Sequence, residues 1–146
     1  MLRRTINIEL INNIPVIQVA LNNKNYYAIL DTGCNHTVFD KDWCEKNKNN
    51  LIIQNSNTEQ ITLTAAGNNI TIDSAVVFAR LTPTNTAEES AKLYILGNMM
   101  TLTQIKNSLP SNIEICGVIG TDVLDLFKSI IDFKSLKLIY DDLFSK

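Results

Sequence analysis

The 146-residue chain predicts a mostly β fold carrying two or three short helices. Three observations carry that prediction. Apolar and polar residues alternate with a period of two over much of the chain, the mark of strands with one buried face. Clusters of Asn and Gly interrupt those runs at hairpin spacing. Helical spacing of apolar residues occurs only in short windows.

Taken in order, Ile6, Ile8 and Leu10 alternate with Asn7 and Glu9 and predict the first strand. Val16–Leu21 and Tyr26–Leu30 predict two more, joined by the turn Asn22-Asn23-Lys24-Asn25. Asp40 caps a helix from Lys41 to about Asn47, with Asp42 and Glu45 favourably placed near its positive end. Gln60–Thr64 alternates, residues 65–69 supply turn chemistry, and Ile70–Leu81 returns, which predicts a long hairpin. A polar loop over Thr82–Ser90 precedes a strand at Lys92–Leu96. Met99, Leu102, Ile105 and Leu109 stand at helical spacing and predict a helix over 99–109, closed by Pro110. Then follow the apolar run Ile115–Ile119, a short helix capped by Thr121 and running through Phe127, and a hairpin joining Ile130-Ile131 to Leu136–Tyr140. No repeat or linker divides the chain, so one domain over 1–146 is expected, long enough to bury a core without staples.

Composition narrows the function classes. Thirteen basic and fifteen acidic side chains leave a net charge of −2, and no run of Lys and Arg could neutralise a row of phosphates. No nucleic-acid partner is expected. Met1-Leu2-Arg3-Arg4 begins like a leader, but Thr5–Asn13 alternates and cannot form an apolar core segment. Uncharged apolar runs fall short of the roughly 18 residues a membrane-spanning helix needs, so no membrane partner is expected. Cys34, Cys44 and Cys116 do not form a disulfide framework, which makes a reducing compartment, the cytoplasm by default, the expected location.

The strongest chemical signal is Ala28-Ile29-Leu30-Asp31-Thr32-Gly33. An apolar strand runs out and delivers a carboxylate, half desolvated by the residues before it. Thr32 can bond neighbouring backbone, and Gly33 admits a turn that side chains resist. Asp-Thr-Gly alone also marks ordinary turns, so the later elements matter. Gly117-Val118-Ile119-Gly120-Thr121-Asp122 follows, then Ile130-Ile131-Asp132-Phe133 and Leu136–Ile139.

In these residues the sequence resembles the retropepsin-like aspartic proteases, the single-lobe relatives of pepsin. Ile29-Leu30-Asp31-Thr32-Gly33-Cys34 matches their catalytic loop, with Thr37 at the Ser/Thr position. Ala65, Ala66, Gly67, Asn68 and Asn69 stand at the flap, and Val118-Ile119-Gly120 is the apolar-apolar-Gly element. The resemblance runs from about Ile14 to Tyr140. It implies a closed, barrel-like β lobe and a homodimeric aspartic endopeptidase in which two Asp31 carboxylates activate water. Thr32, Gly33, Cys34 and Gly120 would support the catalytic loop. An extended peptide or protein substrate would lie under Ala65–Asn68, and neither cofactor nor metal is implied. Position 34 is usually Ala or Ser in that family, whereas a thiol stands here, and the flap has a single glycine and no aromatic tip.

Other readings of the same residues are weighed beside it. Cys34 and His36 would face one side of an extended segment, which raises a thiol nucleophile or, with Cys44 and Cys116, a metal site. No Cys-x-x-Cys spacing is present, and a buried Cys34 beside a partly exposed His36 is the plainer reading. Asp122 at a helix start and Asp132 in the last hairpin fit structural roles. Trp43 and Phe39 fit packing of the short helix onto the sheet. The alternative function is a non-catalytic module that keeps the fold and binds peptide or assembles.

Overall fold

The computed structural model describes residues 2–21, 24–65, 68–83 and 93–142. Among the described residues, ten strands form one mixed sheet: β1 (Leu2–Ile11), β2 (Ile14–Leu21), β3 (Lys24–Leu30), β4 (Val38–Asp40), β5 (Ile52–Ala65), β6 (Asn68–Pro83), β7 (Leu93–Met100), β8 (Ile115–Ile119), β9 (Ile130–Asp132) and β10 (Lys137–Asp142). Three short helices accompany them: α1 (Lys41–Lys46), α2 (Thr103–Asn107) and α3 (Thr121–Leu126). The mostly β class read from the alternation is the class observed.

Strand order is β5-β6-β7-β4-β8-β3-β2-β1-β10-β9, and β6 also meets β2 through Val19↔Pro83 and Ala20↔Thr82. That pairing joins β2, β3, β8, β4, β7 and β6 in a ring, with the β5 hairpin arm and the β1-β10-β9 ribbon extending from it. β1 turns into β2 through Asn12 and Asn13, both at positive φ (50° and 64°). Asn tolerates the left-handed region, and two such residues make the hairpin turn whose twist matches paired strands.

Alternation sorts the strands between two cores. Ile17, Val19, Ala28, Leu30 and Ile119 join Phe39, Trp43 and Tyr140 in the larger one. Val16, Ile29 and Val118, the neighbours in sequence, face a smaller core with Leu102 and Leu109. All five residues of β8 are buried because both of its faces are covered, which is why it reads as a continuous apolar run. Trp43 stacks on Phe39 (5.9 Å between centroids) and seats α1 on the sheet. Asp40 caps α1 by accepting from the Trp43 N–H at 3.2 Å.

Strand β5 begins at Ile52, eight residues before the alternation at Gln60, and two helix boundaries also differ from expectation. The helix expected over 99–109 is confined to Thr103–Asn107. Met99 and Met100 continue β7 because they pair in parallel with Phe39 and Asp40 of β4. Asp40 Oδ1 then accepts the Leu102 N–H at 3.2 Å, which stops the strand and opens α2. Helical spacing survives as burial, since Leu102 and Leu109 still enter the smaller core. Thr121 is the first residue of α3 rather than its cap; Gly120 holds the cap position, and the Thr121 hydroxyl turns instead toward the Cys34 carbonyl at 3.4 Å. The polar loop expected over Thr82–Ser90 lies, beyond Pro83, outside the described residues.

Candidate active site

β3 and β4 are joined by the loop 31–37, and β8 lies between them, parallel to β3 and antiparallel to β4. A loop that must straddle a third strand is held from below by it. The Asp31 N–H donates to Ile119 O at 3.0 Å, so the β3–β8 ladder runs one residue past Leu30. Ala28, Ile29 and Leu30 are buried, and Asp31 itself is half-buried at the point where the apolar strand ends. Its Oδ1 accepts the Gly33 N–H at 2.8 Å, and its carbonyl accepts the Cys34 N–H at 3.2 Å. The carboxylate is thereby fixed over a tight turn while Thr32 and Gly33 stay exposed.

Cys34 is 6% exposed, and its Sγ donates to His36 O at 3.1 Å. Burial pushes this thiol above its ordinary range, and the nearby Asp31 and Asp122 carboxylates push the same way. A thiol held protonated is a poor nucleophile. Cys44 and Cys116 are buried elsewhere, each pushed by burial to about 12. Among the described residues no three His, Cys, Asp or Glu side chains gather as metal ligands.

The far end of the loop is clamped to the start of α3. Thr37 is 1% exposed, and its hydroxyl donates to Asp122 Oδ1 at 2.8 Å while accepting the Gly120 N–H at 3.0 Å. Asp122 Oδ2 takes the Thr37 N–H at 3.0 Å, and its Oδ1 also takes the Val123 N–H at 2.7 Å. The Thr121 N–H donates to Cys34 O at 2.9 Å. Backbone packs so closely here that a Cβ on Gly120 would sit 2.7 Å from Cys34 O and from His36 O. Only glycine fits without moving the loop.

Asp31, Thr32, Gly33, Cys34 and Gly120 are therefore brought together. Of the residues read as flap, Ala65 and Asn68 pair across the end of the β5–β6 hairpin, and Ala66 and Gly67 lie outside the described residues. The hairpin does reach the loop, through a residue the sequence reading passed over. The Thr64 N–H donates to Asn35 Oδ1 at 2.8 Å, and the Asn35 N–H donates to Thr64 O at 3.3 Å. Asn35 and the Asp122 clamp are the site residues that sequence reasoning missed. An Asn five places after the end of β3 is the available signal for the first. Beside the loop opens a cavity of about 540 Å³, lined by Thr32, Thr121, Leu124, Asp125, Lys128, Ser129 and Ile131.

No family model and no curated protein matches the chain. Among solved structures it is similar to a retropepsin-like aspartic protease from Rickettsia conorii, at 20% identity and a TM-score of 0.48, over 94% of this chain and 90% of that one. It is also similar to the retroviral protease-like domain of Ddi1 from Leishmania major, at 11% identity and a TM-score of 0.43, over 92% and 96%.

Proposed function

We propose that residues 1–146 form one aspartic endopeptidase domain of the retropepsin-like kind, active as a homodimer with Asp31 as its catalytic residue. The observation that carries this reading is the setting of Asp31. It is a half-buried carboxylate at the end of a buried strand, held by the Gly33 N–H and by a loop clamped at both ends. A structural turn does not need that bracing.

One Asp31 is half a site. Two of them across a twofold axis cannot both ionise comfortably, so the pair shares one proton and titrates as a unit. The ionised carboxylate takes a proton from a bound water as its oxygen attacks the peptide carbonyl carbon. The protonated partner hydrogen-bonds the carbonyl oxygen. Collapse of the tetrahedral species breaks the C–N bond, with a proton delivered to the departing nitrogen, and leaves an acid and an amine. Thr32 and Gly33 hold the loop, Gly120 and Cys34 support it, and the hairpin end at Ala65–Asn68 covers an extended peptide bound by strand-like hydrogen bonds.

The test compares wild type with Asp31→Asn on an apolar peptide library at mildly acid pH. Asn keeps an Oδ1 for the Gly33 N–H, so the variant retains the loop and should lose all cleavage. Cleavage that survives in Asp31→Asn overturns the mechanism. Silence in both proteins favours the non-catalytic peptide-binding module.

A further inference from the structure

We propose that Asn35 takes up the outer edge of β5 as a one-residue substitute for a strand, and that an extended peptide substrate binds by displacing it. This rests on the reading above of a peptide held under the β5–β6 hairpin, and names the residue that competes with it.

β5 ends the sheet, with β6 as its neighbour on one side. Thr64 of β5 stands opposite Asn69 of β6. Its N–H nevertheless donates to Asn35 Oδ1 at 2.8 Å, and its carbonyl accepts the Asn35 N–H at 3.3 Å. In an antiparallel pair, residues alternate between turning both backbone groups to the partner strand and turning both away. Thr64 turns them away, so the contact lies on the outer edge of the strand. Its hydroxyl serves β6 instead, donating to Asn69 Oδ1 at 2.8 Å.

Asn35 brings to that edge what a strand residue brings. Paired residues exchange an N–H and a C=O, and Asn35 gives its own N–H while its side-chain oxygen stands in for the carbonyl. The imitation stops at one residue. The Cys34 N–H is bound to Asp31 O and the Thr37 N–H to Asp122 Oδ2, so the loop does not extend a ladder along β5.

Such a contact is exchanged easily. Asn35 is exposed and Thr64 half-buried, and a hydrogen bond in that setting moves an equilibrium by about two- to tenfold. A peptide pairing over several residues of the same edge outcompetes it. The peptide residue opposite Thr64 needs both an N–H and a C=O, which excludes proline there. The bound strand then lies between the hairpin and the loop that carries Asp31.

The test measures binding of a fluorescent apolar peptide to the full chain by anisotropy, with Asp31→Asn as the uncleaving background. Asn35→Ala removes the Oδ1 acceptor and should tighten binding by about two- to tenfold at an unchanged melting temperature. Asn35→Ser, too short to reach the Thr64 N–H, should do the same. Asn35→Asp keeps an acceptor and should show no gain. With Asp31 restored, Asn35→Ala should lower KM and leave kcat unchanged. Equal or weaker binding by Asn35→Ala and Asn35→Ser overturns the competition while the shared-proton mechanism stands. A gain in Asn35→Asp as large as in Asn35→Ala overturns it too, because the acceptor is then irrelevant. Peptide that binds none of these proteins overturns the β5 edge as a peptide site. The expected gain beside a wild type that never cleaves supports the competition and overturns the protease reading.

Discussion

Thr37 shows how one hydroxyl decides the shape of the loop. It satisfies a glycine N–H and a carboxylate oxygen at once, from a position 1% exposed. Thr37→Val keeps the shape and removes both bonds, leaving the Gly120 N–H buried without an acceptor. Such a loss costs about 1–3 kcal/mol, so the urea midpoint should fall accordingly, while Thr37→Ser stays near wild type. Gly120→Ala drives a Cβ against two carbonyl oxygens that belong to backbone and cannot swing away. About 1–3 kcal/mol is the expected cost, with reduced cleavage, read from denaturation and activity together. Asp31-Thr32-Gly33 was legible locally, because an apolar strand ending in a carboxylate is a pattern of adjacent residues. The Thr37–Asp122 clamp was not, since its two members stand 85 residues apart.

At the scale of elements, the β5–β6 hairpin is joined to the loop by the reciprocal Asn35–Thr64 bonds, with the Thr64 hydroxyl also donating to Asn69 Oδ1 at 2.8 Å. Asn35→Ala removes the acceptor of the Thr64 N–H. Hydrogen exchange at the Thr64 amide should then speed up, while amides of β8 keep their protection. Unchanged exchange at Thr64 would show that Asn35 does not hold the hairpin. α2 shows why helix length was misread. Periodicity reports which residues are buried, and Leu102 and Leu109 are. It does not report the partner strand, and β4 captured Met99 and Met100 for the sheet. Asp40 explains the join, since it caps α1, accepts the Leu102 N–H and pairs with Lys106 at 3.1 Å.

For the whole molecule, three thiols and a phenol sit in the interior. Burial holds Cys44 and Cys116 at about 12 against an ordinary 9.0, and raises Cys34 as well. Burial likewise holds Tyr140 at about 12 against 10.0. Below pH 9 these thiols are protonated whether the chain is folded or not, and the contribution is fully present. Between about pH 9 and 12 the unfolded chain releases protons that the folded chain keeps, so stability is lost as pH rises through that window. The urea midpoint should therefore drop between neutral pH and about pH 11, and thiol reagents at neutral pH should modify the protein quickly only once denaturant is added. A midpoint that stays level across that range would mean the thiols are not shielded. Among the described residues no helix is long and apolar enough to cross a membrane.

Local pattern suffices for the strand-rich class, the cap on α1, the last hairpin and the loop that bears Asp31. Each is written in neighbouring residues, as period-two alternation, a capping carboxylate or a turn. The packed fold alone places β8 between β3 and β4, sets Asp122 against Thr37, brings Asn35 to the hairpin and puts β9 at the end of the sheet. Those are pairings between distant segments, chosen by which buried faces close over a common core, and no local pattern encodes the choice.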